Sequence, residues 1–420
     1  MAEIEPLRAL RYDPDRTGGL QPVVAPPYDV IDAGRRTGLA ARSPYNVVNI
    51  DLPETPNGDR YEHAAEQLRS WRSQGIVVQD DEPALWLLEQ TYTGPDREPR
   101  RRRGFFVKAR VESYGAGRIR PHERTHPGPK QDRLRLTRAT KANLSPIFAL
   151  FDDPGEATSK ALAPFSTDSP FAETTDDDGT INRLWRVADH DAIAAIERAL
   201  KPAELLIADG HHRYETARVY AEEVGGEGPH QYVLMCLVAL QDPGLTIFPT
   251  HRLVKNLTPD QHETLATAIR RDFDVEPLES TEELIPTPDD HVRIGYIDAH
   301  FRRPFMLTLK DQSIADDALR NHAEPYRRLD TAVLEALILK GALGMTDDDI
   351  DHLNGLGYAR DSAQALELIS AADYDAAFFM APIPVGRVQA VAASGESMPP
   401  KSTYFFPKVP TGLVFNSLTD

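Results

Sequence analysis

Apolar positions along the chain change period several times. Tyr61 to Gln74 carries Ala64, Ala65, Leu68 and Trp71 at helical spacing and stops at Gly75, so a helix is predicted there. Tyr45 to Asp51 reads as a short strand. Leu85 to Thr93 and Gly104 to Tyr114 read as two longer ones, with Gly94-Pro95-Asp96 and the run Arg100-Arg101-Arg102-Arg103 as the solvated hairpin tip between them. Residues 115–155 have few periodic apolar positions, which predicts a long irregular, functional segment ending in the strand-like Asn143 to Phe151. Residues 156–180 are acidic and rich in Ser and Thr, the pattern of an exposed connection. Trp185 to Val187, Leu205 to Ala208, Tyr232 to Leu240 and Thr246 to Val254 read as strands, and Asp189 to Leu200 as a helix.

From about residue 258 the texture changes. Helical runs (Gln261 to Phe273, Leu329 to Lys340, Ala363 to Ser370) alternate with short strands (Val292 to Ile297, Phe305 to Leu309, Ala376 to Met380). The pattern predicts an α+β class with mixed sheets and helices. It divides the chain into an N-terminal region, 1–257, and a C-terminal region, 258–420, whose last loop (398–408) is a candidate to complete a site. At 420 residues the chain is too long for one ordinary core.

Charge narrows the function. A formal net charge of −18 opposes general binding to nucleic acid, while a local basic pocket can still hold a small anion. The one cysteine, Cys236, excludes an internal disulfide, and its apolar run predicts core packing rather than a nucleophile. The N-terminus lacks a signal-peptide apolar region, and no stretch is long enough to span a bilayer, so a cytoplasmic location is expected.

The strongest chemical signal is Leu205-Leu206-Ile207-Ala208-Asp209-Gly210-His211-His212-Arg213-Tyr214. An apolar strand ends in an acid, a glycine turn follows, and a helix begins with two histidines and an arginine. That order points backbone N–H groups and the positive end of a helix dipole at one spot. Phosphoryl chemistry needs such donors together with an acid. His122-Glu123-Arg124-Thr125-His126 satisfies the zinc-protease pattern, but Pro121, Pro127 and Pro129 oppose a helix through both histidines. The surrounding Arg118, Arg120, His122, Arg124, Lys130 and Arg133 read instead as an anion-binding loop, or as a surface loop pairing its own charges. Lys401-Ser402-Thr403 lacks the glycine-rich lead of a P-loop and remains a candidate phosphate contact.

Several segments together resemble one family, DUF1015: Ala25-Pro26-Pro27-Tyr28-Asp29-Val30-Ile31, the loop from His122 through Leu134, Asn143 to Ile147, Ala208 to Tyr214, and Met398 to Phe405. The Asp-Gly-His-His-Arg piece also resembles the phosphate-binding turn of the ParB/sulfiredoxin superfamily, which includes free-serine kinases. That second resemblance implies a phosphate-binding element within a larger two-region chain. It implies phosphate held by Gly210, His211, His212 and Arg213. The chain's own Lys130, Arg133, Lys401, Ser402 and Thr403 are read beside it as further phosphate contacts in the same cleft. Asp209, Glu123 and His212 become the candidate catalytic groups. The implied activity is a small-molecule phosphotransferase, in its most specific form a free L-serine kinase using a nucleotide or pyrophosphate donor with Mg²⁺. A non-catalytic sensor of a phosphorylated metabolite or nucleotide, and a phosphohydrolase, use the same residues.

Overall fold

The computed structural model describes residues 3–56, 58–94, 98–114, 117–122, 127–359 and 361–419. The chain separates into two compact units. The first comprises Met1–Pro121, His126–Thr246 and Pro407–Asp420, and the second His122–Thr125 and Ile247–Phe406.

A nine-stranded mixed sheet organises the first unit. Its strands run in the order Ile119–Arg120, Leu205–Asp209, Ile147–Phe151, Tyr232–Ala239, Pro99–Arg110, Leu85–Thr93, Ile181–Val187 and Ala172–Thr175, with Ile4–Glu5 added beside Pro99–Arg110. Most neighbours are antiparallel. Leu205–Asp209 lies parallel to Ile119–Arg120, and Tyr232–Ala239 parallel to Ile147–Phe151. One face buries Leu87, Phe105, Ala149, Met235 and Ile207 against Ile193, Ile196 and Leu200 of the helix His190–Leu200. Asp189 caps that helix through Ala192 N–H.

The other face is mixed in character. Cys236 stands in register with both Phe106 and Phe148, and Arg102 with Gln90, which in turn faces Asn182. Burial pushes the Cys236 thiol up to about 12, so it packs as a small apolar group.

Four expectations need correction. Val48–Asp51 is a short helix, not a strand. The Arg100–Arg103 run lies inside the strand Pro99–Arg110, so its side chains alternate between faces and Arg102 is buried at 1 % exposure. Pro127–Thr140 is a helix, because prolines are tolerated in a first turn whose N–H groups have no intrahelical acceptor. The 156–180 connection contains the helix Ala157–Leu162 and the edge strand Ala172–Thr175.

The second unit is built on a six-stranded antiparallel sheet, ordered Phe273–Pro277, Phe305–Leu309, Arg293–Asp298, Ala376–Phe379, His251–Val254 and Leu356–Ala359. Leu253, Ile297, Ala377 and Phe379 pack with Ala365 and Ile369 of the helix Ser362–Ser370. The mixed sheets and helices fit the α+β class read from the sequence. Among the described residues no helix is long and apolar enough to cross a membrane.

Candidate functional site

The centre of the first unit's site is the turn from Leu205–Asp209 into the helix His211–Val224. Gly210 makes this turn with φ of 96°, in the left-handed region. A Cβ there would also meet Arg213 Nε at 3.0 Å. Glycine therefore serves two needs: the backbone reverses without strain, and Arg213 folds back over the turn it follows.

Arg213 is pinned on three sides. Its Nη2 donates to Asp209 Oδ2 at 3.1 Å, and its Nη1 donates to Ser145 Oγ at 2.9 Å and to the Pro146 carbonyl. Its guanidinium carbon lies 6.0 Å from the Tyr28 ring centre, over which Arg133 also sits at 4.3 Å. Burial alone would lower the Arg213 pKa, but the nearby charges of Asp209, Asp29 and Asp51 hold it above the ordinary guanidinium value.

The helix Pro127–Thr140 lies along His211–Val224, joined to it by Lys130 Nζ–Glu215 Oε2 at 2.8 Å and by the Arg138–Glu223 pair. This places Arg133 beside the turn. Arg133 donates to the Asp51 carbonyl at 2.7 Å and to Asp51 Oδ1 at 3.0 Å, and also pairs with Asp132 at 2.6 Å. Burial raises the Asp51 carboxyl above its ordinary value, against the pull of Arg133 and Arg213. Burial likewise pushes the Tyr28 phenol up to about 12, so it stays a neutral donor.

Between these groups lies a cavity of about 40 Å³, lined among others by Tyr28, Asp51, Arg133, Ser145, Arg213 and Thr216. That is room for roughly three waters, or for one group of phosphoryl size. Arg213 Nε and Thr216 Oγ1 are both buried and without a hydrogen-bond partner. Such groups are costly to bury unsatisfied.

Asp209 has a second cation. Lys408 Nζ lies 3.3 Å from its Oδ1. The Lys408 backbone is held from behind, where Gln90 Nε2 donates to its carbonyl at 3.0 Å and Arg102 Nη2 donates to the Pro407 carbonyl. Arg102 also donates to Gln90 Oε1. Sequence reasoning reached Lys408 only as the end of the 398–408 loop, and missed Tyr28, Asp51, Ser145 and Thr216 as site neighbours. The signal available for Tyr28 and Ser145 was their presence in the segments shared with the family. Nothing local marks Thr216.

The predicted residues divide as follows. Asp209, Gly210, Arg213 and Arg133 come together, with His211 buried and His212 half-buried in the first helical turn. Lys130 lies on the neighbouring helix in its pair with Glu215. Arg118 donates to the Pro202 carbonyl and Arg120 pairs with Glu204. Lys401, Ser402 and Thr403 belong to the second unit, where Ser402 Oγ donates to the Pro399 carbonyl and Thr403 Oγ1 lies 2.7 Å from His122 Nε2. Glu123, Arg124 and His126 lie outside the described residues.

Among the described residues no group of three His, Cys, Asp or Glu side chains could hold a metal ion. Both Asp209 oxygens already face cations. The described residues therefore do not fit a resident magnesium ion.

A family model described as a protein of unknown function, DUF1015, matches residues 4–332. The chain belongs to the DUF1015 family. No curated protein matches it. Similar solved structures include a conserved hypothetical protein from Pyrococcus furiosus, at 14 % identity and a TM-score of 0.37, covering 74 % of this chain and 95 % of that one. A free serine kinase variant in complex with ADP is 12 % identical with a TM-score of 0.38, covering 74 % and 92 %. SbnI with a C-terminal truncation, from Staphylococcus aureus, is 12 % identical with a TM-score of 0.35, covering 70 % and 82 %.

Proposed function

We propose that this DUF1015 chain is a small-molecule phosphotransferase whose phosphoryl site is the cavity at the Gly210 turn. The observation that carries the reading is the pair of orphaned buried groups, Arg213 Nε and Thr216 Oγ1, among residues lining one small basic cavity. A phosphoryl group bound in this cavity is the partner we assign to them. Arg213 and Arg133 neutralise charge, and the first-turn N–H groups of His211 and His212 add donors at the positive end of the helix. Asp209, paired with Arg213 and Lys408, orients the acceptor hydroxyl and accepts its hydrogen bond, and His212 is the imidazole of the same turn that takes the proton. As donor we propose a nucleotide or pyrophosphate. L-serine is the first acceptor to try. Magnesium, in this reading, arrives on the donor's phosphates rather than in a protein-held cage.

A second reading, a phosphometabolite sensor, draws on the same ion pairs. A carboxylate bound to two cations is a weakened base, which suits binding without turnover.

Phosphorus NMR of the protein with Mg²⁺, L-serine and ATP, ADP or pyrophosphate in turn separates the readings. A phosphomonoester signal that needs both serine and one donor, and that Asp209→Asn abolishes, establishes the kinase. Donor loss without serine indicates a hydrolase. Donor binding that survives in Asp209→Asn, with no product from either protein, establishes the sensor. Unchanged donor affinity in Arg213→Ala removes this site from all three.

A further inference from the structure

The second unit carries a larger cavity, about 560 Å³, on the sheet face away from the helix Ser362–Ser370. One wall is the helix Pro259–Asp272 and the floor is Val275, Tyr296, Phe305 and Leu307. In register, Val275 faces Leu307 and Tyr296 faces Phe305, so these four form one continuous apolar surface. The helix contributes Leu265 and Ile269 to the wall. Its His262, Ala266 and Arg270, spaced four apart, share one side. At the mouth, Phe301 is 74 % exposed, and Val275 at the open edge of the floor is 41 % exposed.

The polar lining holds one acid and one arginine, and the two are held differently. Asp298, the acid among the lining residues, accepts the Phe301 N–H at 2.6 Å and so closes its own turn. Arg270 has no ion-pair partner among the described residues, and His262 and His300 complete the polar lining. The volume falls within the range of small-molecule pockets, and an apolar floor with few polar groups is their usual lining.

We propose that this cavity binds an amphipathic carboxylate, with its apolar body on the Leu307–Phe305 floor and its carboxylate at Arg270. The site is independent of the phosphoryl chemistry of the first unit. The test is calorimetric titration of the full chain with decanoate and, in parallel, decylammonium. One decanoate per chain is expected, with decylammonium at least tenfold weaker. Ala266→Trp, which fills the cavity from the helix side, should abolish decanoate binding, and Arg270→Glu should weaken it about tenfold. Phe301→Ser, at an exposed position that leaves folding intact, should weaken it severalfold. Absence of saturable binding to the wild type, equal binding of the two amphiphiles, or full binding in both Ala266→Trp and Phe301→Ser would overturn the proposal. So would a chain dimer that Phe301→Ser dissociates and decanoate does not, which would assign the surface to a second copy.

Discussion

Arg102 and Arg213 lie in the same unit, on or beside the same sheet; Arg102 is buried, and the Arg213 side chain is only 9 % exposed. They differ in what faces the charge. Arg213 meets Asp209, and its pKa rises despite burial. Arg102 has no carboxylate within ion-pair reach among the described residues. It meets Gln90, a carbonyl and the face of Phe148 at 4.6 Å, and burial pushes it down to about 10. Its Nη1 has no partner at all. Burying a charge with a partner holds the charge in place, whereas burying it without one makes the charge itself the liability. The first arrangement suits a site that must stay cationic, and the second a strut that fixes backbone.

The sharpest way to break this contrast is Arg213→Met. It removes the contacts to Ser145, Pro146 and Asp209 together, and takes one of the two cations from Asp209. A loss of about 3–5 kcal/mol is expected by urea denaturation, since one partner of a buried pair is deleted. A loss below about 1 kcal/mol would mean that the pair is not the brace described here.

The legibility of the two arginines differed in an instructive way. Around Arg213, local order was enough: an apolar run, Asp-Gly, then helix formers, and strand, turn and helix follow with little help from elsewhere. The partners that complete the site come from residues 28, 51, 145 and 408, and no local period encodes those long-range approaches. Around Arg102, composition misled. Four consecutive arginines suggest solvent, yet in a strand alternate side chains face opposite sides whatever their polarity. The helix Pro127–Thr140 was hidden for a related reason, because its prolines sit where a helix start tolerates them.

Asp330, in the second unit, is the acidic mirror of Arg102. Burial raises its carboxyl from 3.8 to about 7, opposed only by Arg387, and its Oδ1 has no partner. Unlike an arginine, it can give up its charge. Its folded pKa lies above the unfolded one, so the neutral form's contribution is complete below about pH 4 and is lost as pH rises through 7. Asp330→Asn cannot ionise. It should match the wild type at pH 4 and exceed it by about 4 kcal/mol at pH 9. Parallel stability–pH curves for the two proteins would show that Asp330 ionises without cost.

Lys408→Met probes the second cation on Asp209. The pair is only partly buried, and Asp209 keeps Arg213, so about 1 kcal/mol of stability should be lost. Under the phosphotransferase reading the larger effect falls on turnover, because Asp209 then loses one of the two cations that orient it. Equal turnover in wild type and variant would confine Lys408 to a structural part.

The smallest effect is expected at Arg102 itself. Arg102→Met replaces the guanidinium by an apolar side chain of similar length against Phe148 and Cys236. It deletes the hydrogen bonds to Gln90 and Pro407, but it also removes a buried charge that has no carboxylate within ion-pair reach among the described residues. The two changes oppose each other, and apolar replacements of buried charges are often neutral or stabilising. The net should stay within about 1 kcal/mol of wild type, well below the cost at Arg213. A loss as large as that of Arg213→Met would show that hydrogen bonds to neutral groups brace a buried guanidinium as firmly as a carboxylate does. The difference between the two arginines would then be one of titration alone, not of stability.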